Sequence, residues 1–384
     1  MSRVGGAWFE GDLPGGRQFV DVGAVSLERG GHLPEVRLAY ETWGQPDPDG
    51  SNAVLVLHAL TGDSHVAGQG GPGHATPGWW DALVGPGRPL DTDRWFVVAP
   101  NVLGGCQGST GPSSTSPDGH PWGSRFPFLT VRDQVAVEAR LADALGIKRW
   151  ALVAGGSMGG MRVLEWAVGY PDRVAAALVL AVGAAASAEQ IGWGSAQLLA
   201  IRTDPCFSGG DYYEVGPGTG PTVGLGLARR IAHLSYRCEP ELAERFGRQP
   251  QPGEDPLGGG GRFAVESYLD HQADKLVRRF DANSYLVLSE AMAAHDVGRA
   301  RDGVAAALSR VTALTMVAAI DSDRLYPPYQ QDELARLIPT AGPLVVLSSK
   351  HGHDGFLLET DAVGGLVTQL LERVGRRRPS CCSA

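Results

Sequence analysis

The sequence is poor in cysteine, in long apolar runs and in excess positive charge, and each shortage removes a class of protein. Its five cysteines, Cys106, Cys206, Cys238, Cys381 and Cys382, are odd in number and scattered. They supply no disulfide framework and no zinc-type spacing, because the adjacent tail pair is too constrained to be half a typical site. A reduced, cytoplasmic setting is expected. No uncharged apolar run reaches the length of a membrane span, and the opening M-S-R-V-G-G-A-W-F-E-G-D has no apolar signal core. The final C-C-S-A formally matches a prenylation box, but Ser383 is a poor aliphatic position for one. Lys and Arg number 33 against 42 Asp and Glu, a net charge of -9. Such a chain is a poor nucleic-acid binder, since phosphate neutralisation needs clustered cations. Glycine and proline are plentiful but spread between periodic segments, so they read as loops and turns of an enzyme-like scaffold.

What is present is a rhythm of short apolar runs and amphipathic stretches. The runs are Ala53 to His58, Trp95 to Ala99, Trp150 to Ala154, Ala177 to Val182, Ala313 to Ile320 and Leu344 to Ser348. Apolar runs without alternation are the mark of strands buried on both faces of a parallel sheet. Val131 to Leu145 and Met158 to Val168 carry apolar residues at three- and four-residue spacing and are stopped by Gly146 and Gly169. Strand alternating with helix predicts an α/β chain with a mainly parallel sheet flanked by helices. The rhythm breaks between Ser187 and about Ala300, where Leu225 to Tyr236 and Ser284 to His295 read as amphipathic helices. Residues 1–186 and 301–384 are therefore expected to form the core, and 187–300 a helical lid inserted into it. Gln249 to Gly261, rich in glycine and proline, is expected to be a mobile loop within that insertion.

Gly155-Gly156-Ser157-Met158-Gly159 fits G-x-S-x-G, with a buried strand before it and a helix after it. A serine on so sharp a strand-to-helix turn needs small neighbours, and the turn lifts its hydroxyl above the sheet. The bland alternative is a tight structural turn, and the flanking strand and helix favour the nucleophile. The helix N-terminus behind Ser157 favours negative charge, and the Met158 amide would face a developing oxyanion. A serine nucleophile needs a base and an orienting carboxylate, here in the chain order Ser, Asp, His. The strand ending at Ile320 runs into Asp321 and Asp323, and the last strand runs into His351 and His353. Spacing alone leaves both pairs open.

Several segments together resemble homoserine O-acetyltransferase, an α/β-hydrolase-fold family of methionine biosynthesis. They are H-A-L-T-G-D-S-H at 58–65, N-V-L-G-G-C-Q-G-S-T-G-P-S-S at 101–114, G-G-S-M-G-G at 155–160, D-R-L-Y-P-P at 323–328 and G-H-D-G-F-L at 352–357. L-A-R-R-I-A-H-L-S-Y-R in the insertion extends the resemblance over nearly the whole chain. It implies Ser157 as nucleophile, Asp323 as acid and His353 as base, with the Leu60 amide joining that of Met158 as oxyanion donor. It implies Arg229 for the carboxylate of homoserine, Tyr236 nearby and Asp354 for the ammonium. It further implies acetyl-CoA as co-substrate with no other cofactor and no metal, a ping-pong acyl-serine route, and a homodimer formed through the insertion. His58 is expected to hydrogen-bond beneath the oxyanion loop. Transfer of succinyl, or transfer to serine, remains open on the residues alone. An esterase, a binding protein on an inactive hydrolase fold, and a metal enzyme using His351 and His353 are the more distant alternatives.

Overall fold

The computed structural model describes residues 6–216 and 220–377, so the tail cysteines and the prenylation-like box lie outside the described residues. Its main sheet has eight strands: β1 (Gln18–Ser26), β2 (His32–Trp43), β3 (Ala53–Leu57), β4 (Phe96–Pro100), β5 (Leu152–Gly156), β6 (Ala176–Leu180), β7 (Leu314–Ile320) and β8 (Val345–Leu347). Their order is β1-β2-β4-β3-β5-β6-β7-β8. The pairings from β4 onward are parallel, while β2 runs antiparallel to both β1 and β4. All six apolar runs therefore lie in the sheet. The antiparallel β1–β2 hairpin is an element that the run pattern does not reveal. β1 is half exposed and broken by register shifts around Gly23, so it carries no continuous apolar signal.

The buried runs are divided by the pleat. In β3, Ala53, Leu55 and Leu57 point into one core and Val54 and Val56 into the other. The first core is filled by α1 (Val131–Ala144) and α2 (Met158–Gly169), the second by α11 (Thr360–Arg377) through Val363, Val367, Leu370 and Leu371. Each such side chain contributes about 1.5–3 kcal/mol on burial, which fixes the register of the central strands. α1 starts at a capping box between Thr130 and Asp133, and Gly146 takes up a left-handed φ of 71° just past its end.

Between β6 and β7 the chain builds α3 (Ala188–Arg202), α4 (Thr222–Tyr236), α5 (Glu239–Arg245), α6 (Ala264–Val277) and α7 (Ala282–Ala293). It leaves and re-enters through one neck, where Ala186 N–H donates to His295 O at 2.9 Å and Val297 N–H to Ala184 O at 3.0 Å. The loop 249–261 is pinned at its base rather than free. Gln251 N–H donates to Arg262 O and Ala264 N–H to Gln249 O, while Arg262 pairs with Glu254 and Asp270. Short helices α8 (Val304–Leu308), α9 (Pro328–Leu337) and α10 (Gly355–Leu358) complete the chain.

Two buried polar groups brace the ground beneath the site. Arg162 of α2 is fully buried; it pairs with Glu138 at 2.7 Å and donates to the carbonyl of His58 at the end of β3. Trp166 Nε1 donates to the other Glu138 oxygen at 2.8 Å. Arg162→Met leaves the Glu138 charge buried and unpaired, so a loss of about 3–5 kcal/mol is expected. An unfolding free energy from urea titration lowered by less than about 1 kcal/mol would refute the assignment. The second group is Glu41, His65 and His74, whose ligand-type atoms lie within 4.8 Å of one another. These atoms are already committed. Glu41 accepts from Ser64 and His65, and His74 Nε2 accepts from Gly16 N–H. The two rings stack at 3.8 Å, a geometry that does not aim both lone pairs at one ion. The group acts as a strut between β2 and the loop that follows residue 62.

Candidate active site

Ser157 occupies the turn between β5 and α2 with φ 57° and ψ −126°, a conformation that L residues avoid. Its backbone N–H is held by Leu180 O at 3.1 Å. The glycines around it are required by close approach. A Cβ on Gly159 would lie 2.1 Å from Leu57 O, and one on Gly156 would lie 2.4 Å from the Phe356 ring. Sheet and helix thus pack tightly enough to impose the turn, and the serine is lifted into the space above the sheet.

His353 and Asp323 meet at that space. His353 Nδ1 lies 2.6 Å from Asp323 Oδ2, and both residues are buried. Asp323 Oδ1 accepts from the amides of Leu325 and Tyr326, each at 2.9 Å, which leaves its second oxygen for the imidazole. Asp321 serves a different purpose, accepting Ser349 N–H at 3.0 Å and tying the ends of β7 and β8 together. His351 turns away toward Arg237 and Glu241, both at 3.4 Å, so His351 and His353 do not converge on a metal. Gly352 lets this happen with φ 61° against Tyr236 O, where a Cβ would come within 2.3 Å.

His353 Nε2 is buried with no hydrogen-bond partner among the described residues, and Ser157 and His353 line the same cavity. No Ser157–His353 hydrogen bond is present among the described residues, although both side chains face one space. Burial disfavours the imidazolium. The Asp323 charge and hydrogen bond, helped by Asp354, outweigh it and raise the His353 pKa. A base must be neutral to accept a proton. The acidic limb of kcat/KM is therefore expected above the ordinary histidine value of about 6.5, with activity falling as pH drops through it. A pH–rate profile flat down to about pH 5 would exclude His353 as base.

No hydrogen bond of the Leu60 or Met158 amide to protein occurs among the described residues, so both donors are available. Their loop is supported from below. His58 Nδ1–H donates to Ala59 O at 2.7 Å, and Nε2 accepts Val102 N–H at 3.1 Å. His58 is thus a neutral strut, and Val102 belongs to the N-V-L-G-G-C-Q-G segment.

Two cavities meet at Ser157, and both are also lined by Leu60 and Tyr236. One runs under α3 and α7 past Trp193, Gln197, Ser289 and Met292 and is mostly apolar. The other is charged, with Arg229, Arg279 and Asp354 beside His353. Arg229 lies 5.7 Å over the Tyr236 ring, its Nε is buried without a partner, and it makes no ion pair among the described residues. Arg230, one residue on, points to the surface and pairs with Asp270. The expected residues Arg229, Tyr236 and Asp354 are thus brought together. Asp354, however, already has one cation partner, Arg237 Nε at 3.3 Å. Sequence reasoning assigned no role to Arg237 or Arg279. Arg237 closes the quoted L-S-Y-R segment, but nothing local marks either residue.

The sheet order, the serine turn at β5 and the helical insertion after β6 define an enzyme of the α/β-hydrolase fold. The family model for that fold matches residues 52–360. Homoserine O-acetyltransferase of Thermobifida fusca is 64% identical over 367 residues, spanning 95% of this chain and 96% of its own length. The enzyme of that name from Mycobacterium tuberculosis is 57% identical over 352 residues, 92% of each chain. Among solved structures, homoserine O-acetyltransferase from Bacillus anthracis superposes with TM-score 0.84 at 26% identity, covering 93% of this chain and 97% of its own. Esterase E22 superposes equally well, TM-score 0.84 at 25% identity over 92% of this chain and 99% of its own. The chain belongs to the homoserine O-acetyltransferase family.

Proposed function

We propose that the chain transfers the acetyl group of acetyl-CoA to the side-chain hydroxyl of L-homoserine, giving O-acetyl-L-homoserine and CoA for methionine biosynthesis. The observation that carries this reading is the charged cavity. Arg229, which makes no ion pair among the described residues, and a carboxylate, Asp354, stand beside His353 in the cavity that Ser157 also lines. An amino acid presents a carboxylate and an ammonium, and a guanidinium fork suits the former. Tyr236 shapes the wall between them.

In the first half-reaction His353 takes the Ser157 proton and the serine oxygen attacks the thioester carbonyl. The Leu60 and Met158 amides hold the oxyanion, CoA leaves with the proton from His353, and acetyl-Ser157 remains. In the second half, homoserine gives its hydroxyl proton to His353 and attacks the ester, and the proton returns to Ser157. The scheme needs no metal and no cofactor beyond acetyl-CoA as co-substrate. We read residues 187–300 as a lid whose helices keep water from the acyl-serine.

The test is an acyl-transfer assay crossing acetyl-CoA and succinyl-CoA with homoserine, serine and water. Acetyl transfer to homoserine with parallel double-reciprocal lines and an acetyl-enzyme by intact mass is expected. Faster release of acetate than of the ester would favour the esterase reading, which the superposition on esterase E22 supports.

We further propose a cytoplasmic homodimer formed through the insertion. α3 and α4 pack together and leave Ile191, Leu199, Val223, Leu227 and Leu234 exposed, Val223 at 78%. An apolar stripe of this kind calls for a partner. Leu227→Glu is expected to convert a dimer to a monomer in sedimentation analysis; a wild-type chain that sediments as a monomer would overturn the proposal.

A further inference from the structure

The acceptor cavity holds a second arginine for which the mechanism above has no use. Arg279 sits two residues past the end of α6, partly buried, with its side chain on the same cavity as Arg229 and Asp354. Its guanidinium makes no ion pair among the described residues. One nitrogen, Nη1, donates to Thr61 O at 2.7 Å, the carbonyl that follows Leu60. Its backbone is fixed as well. Gln107 Nε2 donates to Arg279 O at 2.8 Å and to Gly6 O at 3.0 Å, while Gln107 Oε1 accepts from Arg17 at 2.8 Å.

Gln107 belongs to N-V-L-G-G-C-Q-G, the most specific segment of the sequence. That segment therefore has two arms. Val102 holds His58 under the oxyanion loop, and Gln107 sets the position of Arg279. The charges acting on Arg279 are Asp63, the strongest, then Arg229, with exposed Lys275 beside both arginines. Asp354 is shared with Arg237. Burial holds the Arg279 guanidinium below its usual value; the Asp63 charge opposes this and the Arg229 charge adds to it. Two like charges in one cavity gain from an anion placed between them.

We propose that Arg279 is a second binding group for the acceptor's carboxylate and a determinant of acceptor specificity, working with Arg229 through the guanidinium nitrogens that Thr61 does not use. A carboxylate has lone pairs enough for both arginines. Because Arg279 also holds Thr61, carboxylate binding is tied to the loop that carries the Leu60 amide. The proposal rests on the reading of Arg229 and Asp354 as the amino-acid site.

The test compares L-homoserine with 3-aminopropan-1-ol, which is homoserine without its carboxylate, as acceptors for the full-length chain charged with acetyl-CoA. The readout is the ratio of their kcat/KM values. A wild-type ratio near 1 would mean that the cavity does not read a carboxylate, and the amino-acid-site reading itself would fall. With a large wild-type ratio, Arg279→Met is expected to lower it about 10- to 100-fold, the worth of a charged hydrogen bond. If Arg279 only supports the loop, both acceptors suffer alike, the ratio stays constant and the proposal is overturned. Should Arg279→Met fail to fold, Arg279→Gln, whose neutral amide keeps an N–H donor for Thr61 without the charge, is read the same way: a lowered ratio supports the proposal and an unchanged one overturns it.

Discussion

Ser157→Ala is expected to lower turnover roughly 10⁴- to 10⁶-fold while leaving the thermal midpoint nearly unchanged. The first part follows from the route, because no acetyl-enzyme can form and the residual rate rests on proximity and the oxyanion amides alone. The second follows from the fold. The φ of 57° at residue 157 is imposed by the approach of Gly159 to Leu57 O, which alanine does not disturb. The serine hydroxyl makes no capping hydrogen bond that could be lost. Intact-mass analysis after mixing with acetyl-CoA decides the matter. A mutant that still gains an acetyl group at residue-specific stoichiometry, or retains more than about a hundredth of wild-type turnover, would remove Ser157 from its role.

Asp323→Asn is expected to cost about 10⁴-fold in turnover with the loop intact. The asparagine Oδ1 can still accept the Leu325 and Tyr326 amides, as Asp323 Oδ1 does at 2.9 Å. Its NH₂ must then face His353 Nδ1, where the carboxylate oxygen now lies at 2.6 Å. A donor at that place forces Nδ1 to accept and puts the proton on Nε2, the nitrogen that should take the proton of Ser157. The wrong tautomer, not the lost charge alone, disables the base. Asp321→Asn is the matched control, since Asp321 binds Ser349 N–H and never reaches His353. Equal losses in the two variants would refute the assignment of Asp323.

Much of the sheet was legible because strands covered on both faces must be apolar at every position, as in the five buried residues of β3. The serine turn was legible because its geometry admits only glycine at the crowded positions. β1 and β2 were not. A half-exposed edge hairpin alternates weakly, and its bulges around Gly23 break the period. Asp321 against Asp323, and His351 against His353, could not be separated by spacing, since each pair shares one loop. The family resemblance pointed to Asp323 and His353, and the 2.6 Å contact between them is a property of the folded chain.

The cavity shows the same division. Arg229, Tyr236 and Asp354 stood out through resemblance, yet the claim of Arg237 on Asp354 and the presence of Arg279 did not. Gln107 and Arg279 are separated by 172 positions and joined by one hydrogen bond. By itself the sequence determined where the chain is buried, where it must turn sharply and which reactive side chains sit at the strand ends, because burial and backbone sterics act on neighbouring residues. Only the tertiary structure decided which of those side chains face one another across Ser157, because that depends on packing between elements far apart in the chain.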